Sequence, residues 1–373
     1  MHVIYDGRVM AYQYTGLGRF TGELLFALLD MRHEDGIKYT VVIWEASDAN
    51  GKNAYYEKLR DYEDSDGCRV VSVPCRPISL MHHFCLPYYI NRLGGDIYVY
   101  PHFDLPLGVR IPSISVIHDL FPLKVSGYIV KNRLLKIAYF KLMLRVVARK
   151  TKFIFAVSET TRRDFLAEVG KRFSGKVAVS LEGPIVRRPP NDEKPSLLLN
   201  VPDQFVLYVG DRRPHKNIKR LIDLFVSLKE KTSYSGCLVL AGSTKKHDFD
   251  LEGYIGTRAD IYIVGQVDDQ SLALLYQKMD ALIFLSKYEG FGLPVVEAAL
   301  FGKKIIVSDG GSLPEVAPPW AFVLPNEADL ERYVFPIKEY LESPIVLDES
   351  YGRKYTWNSV ARGVRSKFLE LVD

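Results

Sequence analysis

Two glutamates, Glu289 and Glu297, flank seven residues of "SKYEGFGLPVVEAAL", and the gap opens on a Gly-Phe-Gly-Leu-Pro turn. The apolar run Ala281–Leu285 ahead of them reads as a strand, and a helix is expected from Pro294, where a first-turn proline is favourable. Leu293 would then take the N-cap, and its side chain cannot accept a hydrogen bond from the first free amides. An uncapped helix start after glycines is an anion site, because exposed N–H groups and the helix dipole both favour phosphate. Glu297, about one turn inside that helix, would reach ribose hydroxyls. Glu289, before the turn, would point at whatever the phosphate carries. One carboxylate on each side of a diphosphate suits a sugar nucleotide. The competing reading is an ordinary turn with two solvated glutamates.

A second group of residues converges on the same chemistry. "VLYVGDRRPHKNIKRL" starts as a strand, turns at Gly210 and opens a helix near Asn217. Arg212, Arg213, His215 and Lys216 crowd the loop between them, at the carboxyl end of a strand, where open α/β sheets bind ligands. Cations placed there would neutralise a diphosphate and stabilise it as a leaving group. Basic loops also serve solubility alone. In "IYIVGQVDDQSLALLY" a nucleotide base could lie against the backbone of Gly265–Val267, or Asp268 or Asp269 could simply cap the next helix.

In the first half, Gly16 and Gly18 precede an amphipathic helix, expected over Arg19–Leu29. Gly22 falls one residue late for a dinucleotide fingerprint, and no acidic residue follows a second strand at the required distance. An NAD site is therefore excluded. What remains is a loop whose backbone a phosphate or sugar can approach. "SVIHDLFPL" places His118 and Asp119 at a strand exit, where the pair could bind sugar hydroxyls with Asp119 fixing the imidazole tautomer. A satisfied structural histidine is the alternative. His102, in "YPHFDLP", leaves another strand and, with Asp119, is a candidate acceptor contact. His82 and His83 show no partner pattern. Asp64-Ser65-Asp66 mimics a metal-binding DxD but follows no apolar strand, so no metal is expected.

The elements that must position these residues alternate short apolar runs with helical patterns, the grammar of βα units and parallel sheets. Strands are expected at Val3–Tyr5, Tyr39–Trp44, Arg69–Val73, Asp96–Tyr100, Ser113–Ile117, Phe153–Val157 and Val177–Ser180. The second half adds Phe205–Val209, Cys237–Leu240, Ile261–Val264, Ala281–Phe284 and Lys304–Val307. Further helices are expected at Arg133–Ala148 and Thr160–Val169. At 373 residues the chain exceeds one core. A proline-rich, charged stretch suggests the division: residues 1–185, a linker at 186–203, a second domain at 204–354, and a tail at 355–373 that packs back across the linker.

A net charge of +4 does not mark a nucleic-acid binder. Four cysteines without a CxxC pair indicate neither zinc nor a disulfide framework, which fits a reducing compartment. No signal peptide or membrane-spanning run is read, so a cytoplasmic protein is expected. "NRLLKIAYFKLMLRVVARK" sets Arg133, Lys136, Lys141, Arg145 and Arg149 near one helical face among leucines and aromatics. It reads either as a core helix with a solvated basic stripe or as a helix lying on an anionic membrane.

With these residues in hand, the chain resembles a retaining glycosyltransferase of the GT-B fold, in the GT4 family, over nearly its whole length. The resemblance rests on the E-x7-E motif of Glu289 and Glu297, supported by "TGLGRF", "IHDLFP", "AVSETTRRDF", "YVGDRRPHKN" and "VSDGGSLPEV". It implies two Rossmann-like α/β domains facing each other across a cleft. It implies that Glu289 contacts the donor sugar, that amides of Phe291, Gly292 and Leu293 bind the distal phosphate, and that Glu297 binds the ribose. Lys216, with Arg212 or Arg213, would hold the diphosphate, Gly18 would approach it, and His118 would bind the sugar. Transfer would retain configuration and use no metal or other cofactor. Where relatives read Pro-Arg-Lys-Asn, this chain has Pro214-His215-Lys216-Asn217, so a neighbouring arginine would take over a phosphate contact. "EGFGLPVVEA" with "GSLPEV" is most similar to bacterial mannosyltransferases of O-antigen and other surface polysaccharides. That likeness implies GDP-mannose, a polyprenyl-diphosphate-linked glycan acceptor and a peripheral membrane contact. A UDP-sugar-dependent enzyme and a catalytically silent nucleotide-sugar-binding subunit are the alternatives.

Overall fold

The computed structural model describes residues 1–48, 53–63, 67–125, 132–186, 201–242 and 250–372. Asp64–Asp66 and most of the expected linker, with Pro189, Pro190 and Pro195, lie outside the described residues. The chain forms two compact units. The first takes residues up to Leu120, from Asn132 to Gly183 and from Tyr355 onward; the second takes Pro184–Lys354 and the short run beginning at Phe121.

The first unit is built on a seven-stranded sheet: β1 His2–Asp6, β2 Lys38–Trp44, β3 Cys68–Val73, β4 Ile97–Tyr100, β5 Ser113–Ile117, β6 Phe153–Ala156 and β7 Val177–Val179. Their order is β3-β2-β1-β4-β5-β6-β7, with every pairing parallel. The strands of a parallel sheet covered on both faces read as unbroken apolar runs, and every residue of β4 and β5 is buried. The helix Gly16–Asp30 starts three residues before the apolar pattern suggests. Thr15 caps it, accepting the Gly18 N–H at 3.1 Å. The C-terminal helix Trp357–Val372 packs on it, with Trp357 edge-on to Phe20 at 5.4 Å and Arg365 paired to Glu34 at 2.5 Å.

The second unit has a six-stranded sheet: β8 Phe205–Val209, β9 Cys237–Ala241, β10 Ile261–Gly265, β11 Ala281–Phe284, β12 Lys304–Ser308 and β13 Phe322–Leu324. Its order, β10-β9-β8-β11-β12-β13, is again all parallel. Both sheets therefore wind outward from a central pair, β1 with β4 and β8 with β11. Loops leaving such a pair run to opposite faces and open a crevice at the carboxyl ends of the strands.

Departures from the sequence reading include β13 and a helix, Ala54–Glu63, neither of them expected, and two further features. A helix, His82–Ile90, occupies "HHFCLPYYI", whose internal Pro87 and lack of a polar face conceal it. Cys75 and Cys85, ten residues apart, form a disulfide that the spacing does not announce. Cys68 and Cys237 are free. Among the described residues no helix is long and apolar enough to cross a membrane.

Candidate functional site

At the centre of the second sheet, the loops after β8 and β11 meet. After Gly210 the first loop makes one short helical turn, Pro214–Lys216, and Asn217 adopts a left-handed conformation before the helix Ile218–Lys231. The His215 carbonyl accepts the Lys287 N–H at 2.7 Å, which ties this loop to the one after β11. The His215 ring is buried and stacked on Phe121 at 4.7 Å. Burial, with the Lys216 and Arg213 cations beside it, pushes its pKa down to about 3, so the ring is neutral near pH 7. Held this way, Lys216 places Nζ 2.7 Å from Glu289 Oε1. The two side chains are 13% and 12% exposed, an ion pair screened from bulk water yet reachable by a ligand.

Glu289 is fixed through its backbone. The Ser312 N–H donates to the Glu289 carbonyl at 3.0 Å, and the Ser312 hydroxyl donates to that oxygen at 3.2 Å and to the Phe291 carbonyl at 2.8 Å. Gly310 and Gly311 allow this contact. A Cβ on Gly310 would lie 2.2 Å from the Ser286 carbonyl oxygen, and one on Gly311 2.3 Å from that of Glu289. The motif "SDGGSLPEV" thus clamps the loop that carries Glu289. The following helix runs Leu293–Leu300 with Gly292, not Leu293, as its N-cap, at φ +105°. The start has no side-chain cap, and Phe291 and Gly292 are buried.

The other expected donor contacts divide. Arg212 is buried and its guanidinium pairs with Glu252 at 3.1 Å. Arg213 is held to Asp211 at 2.6 Å and lies over the Phe121 ring. Burial alone would raise the Asp211 pKa, but Lys216 and Arg213 outweigh it and hold the carboxyl below its usual range. Gly265, at φ +69°, accepts the Gly242 N–H through its carbonyl at 2.7 Å, and Val267 is half-buried beside it. Asp268 caps the helix Asp269–Lys278, the plainer of the two readings of that stretch.

Glu297 requires a correction. It is 3% exposed. Its Oε1 accepts the N–H groups of Ile185 and Val186 at 3.1 and 3.0 Å, and its Oε2 accepts the Tyr276 hydroxyl at 2.8 Å. In this geometry Glu297 fastens the segment entering the second unit to the helix Leu293–Leu300 and presents no open carboxylate to a ribose.

In the first unit, Gly16 is the exposed first residue of the helix Gly16–Asp30, with open space where a side chain would sit. Gly18 is different: it is buried, and a Cβ would meet the Tyr12 carbonyl oxygen at 2.2 Å, so the helix packing demands this glycine. His118 Nε2 lies 3.0 Å from the Pro101 carbonyl, which can only accept, so the ring carries its proton there. The carboxylate beside Nδ1 is Glu182 at 3.4 Å, and Phe20 meets the ring edge-on. The Pro101 carbonyl thus fixes the tautomer, Glu182 is the carboxylate found beside Nδ1, and Asp119 is half-buried. No local pattern marks Glu182, which lies 64 residues along the chain from His118. His102 is also corrected. It is 9% exposed and its Nδ1 accepts the Asp104 N–H at 3.3 Å. Burial pushes its pKa down to about 3. It is a core residue, not an acceptor contact.

The basic helix, Arg133–Lys150, has the buried apolar side that the core reading expects. Phe140, Met143, Leu144 and Val147 are buried, and Lys141 and Arg145 are engaged with Glu168 at 3.4 and 3.5 Å. Leu134 and Leu135 stand 82% and 72% exposed beside Arg133 and Lys136, which are exposed too. Tyr139 of this helix hydrogen-bonds His83 at 2.7 Å, so the helix His82–Ile90, with Phe84 78% exposed, lies alongside. Leu80 and Met81, just ahead of the helix His82–Ile90, are also 70% and 65% exposed.

Residues 191–355 match the family described as Glycosyl transferases group 1. The chain is 26% identical over 345 residues to the O-antigen chain mannosyltransferase B of Escherichia coli, covering 88% of each. Among solved structures it is similar to sucrose-phosphate synthase from Thermosynechococcus elongatus, at TM-score 0.73 and 17% identity, covering 100% of this chain and 99% of that one. It is also similar to Anabaena Alr3699/HepE in complex with UDP and glucose, at TM-score 0.68 and 17% identity, covering 98% and 99%. These likenesses show the GT-B fold.

Proposed function

For a chain whose residues 191–355 match the glycosyl transferases group 1 family, we propose a retaining hexosyltransferase of bacterial surface polysaccharide assembly. It moves mannose from GDP-mannose to a polyprenyl-diphosphate-linked glycan and uses no metal in the transfer step. The observation that carries this reading is the Lys216–Glu289 pair, 2.7 Å apart and partly exposed where the second sheet reverses its winding. The mannosyl donor is supported by the E. coli mannosyltransferase, which covers most of the chain.

In this proposal the donor's diphosphate displaces Glu289 from the Lys216 ammonium. Lys216 and the main-chain amides from Phe291 to Leu293 then take the phosphate charge, and the released Glu289 carboxylate faces the sugar. The bond from the anomeric carbon to the phosphate oxygen breaks. The acceptor oxygen bonds to that carbon from the same face, and its proton leaves with the nucleoside diphosphate. The cation matters most as the leaving group gains negative charge, so it stabilises the transition state more than the bound donor. Arg213, tethered to Asp211, is the adjacent reserve of positive charge.

Lys216→Ala and Glu289→Ala should each lower mannosyl transfer by about 10²–10³-fold, with melting temperature unchanged. Near-wild-type turnover in either variant overturns the assignment. Melting with GDP-, UDP- and ADP-sugars decides the donor, because only a bound nucleotide stabilises by mass action. The UDP in the similar Anabaena structure favours a UDP-hexose as the second reading. Stabilisation by a nucleotide sugar with no product from any acceptor would instead indicate a silent binding subunit.

A lipid-linked acceptor calls for a membrane contact. The exposed Leu80, Met81, Phe84, Leu134 and Leu135, with Arg133 and Lys136 beside them, suit an anionic bilayer at the cytoplasmic face. Leu134→Asp with Leu135→Asp should reduce co-sedimentation with anionic liposomes severalfold. Equal sedimentation would remove the membrane from the proposal.

A further inference from the structure

Where the first sheet reverses its winding, three side chains converge that the transfer reaction does not use. His82 and His83 open the helix His82–Ile90, and Asp104 lies four residues beyond the end of β4. They are 0%, 6% and 1% exposed. His82 Nε2 lies 3.3 Å from Asp104 Oδ2, and His83 Nε2 3.4 Å from Asp104 Oδ1. One ligand atom from each falls within 4.8 Å of the others.

The directions of these groups matter more than their closeness. His82 is fully buried, yet neither of its ring nitrogens makes a hydrogen bond, although one is within 3.3 Å of a carboxylate oxygen. Buried polar nitrogens are rarely left so. Two atoms that approach each other without aligning are expected when both point toward a third. With metal–ligand bonds of about 2.0–2.1 Å, the edges of a tetrahedron are about 3.3–3.4 Å, and each imidazole stands at that distance from a different oxygen of the Asp104 carboxylate, so a small rotation of the carboxylate would bring one oxygen to a shared ion. We propose that His82, His83 and Asp104 bind one zinc ion in the first unit.

Two imidazoles and a carboxylate form a borderline-soft set that suits zinc better than magnesium or calcium, which prefer oxygen. Tyr139 completes the surroundings. Its hydroxyl is 2.7 Å from His83 Nε2 and donates to Asp104 Oδ1, so it stands where a fourth ligand or a supporting hydrogen bond belongs. Neither His82 Nδ1 nor His83 Nδ1 has a hydrogen-bond partner. Without a carboxylate or carbonyl behind the rings, the site should bind less tightly than fully backed zinc centres. The ion would join the helix His82–Ile90 to the loop after β4 and, through Asp104 and Tyr139, to the helix Arg133–Lys150. Its role is structural: it holds in register the two helices that carry the exposed apolar residues.

The test uses the full chain without an affinity tag, stripped with a chelator and then titrated with zinc chloride alone. Metal is measured by mass spectrometry after gel filtration, and melting is followed in parallel. About one zinc per chain should be retained, with a melting temperature higher than that of the stripped protein. His82→Gln breaks no hydrogen bond and should fold; it should weaken zinc affinity at least about 10-fold. Asp104→Asn should do the same, with near-ultraviolet circular dichroism confirming its fold. The proposal fails if the wild type retains well under one equivalent. It also fails if His82→Gln keeps a full equivalent at wild-type affinity, which would place the metal on other histidines.

Discussion

The two sheets reverse their winding in the same way, at β1 with β4 and at β8 with β11, but the two crevices have opposite fates. In the first, the chain's own side chains fill the space. Arg8 and Asp6 pair at 2.7 Å with 0% exposure, Tyr98 donates to Asp6 at 2.6 Å, and Arg8 also donates to the Cys75 carbonyl at 2.9 Å. In the second, Lys216 and Glu289 pair at the same 2.7 Å but remain partly exposed. A salt bridge is thus a sealed joint in one place and a displaceable contact in the other. What separates them is burial: a fully desolvated pair cannot exchange partners without leaving a bare charge, whereas a half-wet pair can.

Breaking the sealed joint should produce the largest effect. Asp6→Ala leaves Arg8 buried with one carbonyl and removes the acceptor of the Tyr98 hydroxyl. Loss of one partner of a buried pair costs about 3–5 kcal/mol, read as a lower urea midpoint at unchanged slope. Asp6→Leu with Arg8→Met removes both charges and should recover most of that loss, because paired apolar replacements are often neutral. If the single variant were as stable as wild type, Arg8 would have to reach water, and the first crevice could not be sealed.

The contrast also explains what could be read from the chain. Strands such as Ser113–Ile117 and Ala281–Phe284 were legible because strands buried on both faces are continuous apolar runs. Lys216 and Glu289 could each be named, since strand ends and glycine turns mark where ligands meet such sheets. Their pairing could not, because 72 residues separate them. Glu182 beside His118 and Ser312 beneath Glu289 were missed for the same reason: their partners are distant in sequence, and neither residue type is unusual where it stands. Helical periodicity puts Glu297 on the helix Leu293–Leu300, but its spacing cannot show that Tyr276 and the backbone of residues 185 and 186 saturate it. Pro87 hides the helix that carries His82 and His83, and neither histidine has a partner visible in its local sequence.

A smaller effect tests whether the second crevice is held ready as well as open. Gly311 sits at φ +63° with its Cβ position 2.3 Å from the Glu289 carbonyl oxygen. Gly36 has nearly the same backbone, φ +62°, with no atom within 4 Å of its Cβ position. Alanine at either position incurs the left-handed backbone cost of about 1–2 kcal/mol, and only at Gly311 must it also push the Glu289 backbone aside. Gly36→Ala should therefore lower stability by about 1 kcal/mol and leave sugar transfer unchanged. Gly311→Ala should lose about 2–3 kcal/mol and slow transfer roughly 10-fold or more, since displacing a reacting group by a fraction of an ångström is costly. Urea unfolding and initial transfer rates on the two variants make the comparison. If both lose the same stability and both keep full activity, the glycine pair does not position Glu289, and the open crevice owes its geometry to the Lys216 contact alone.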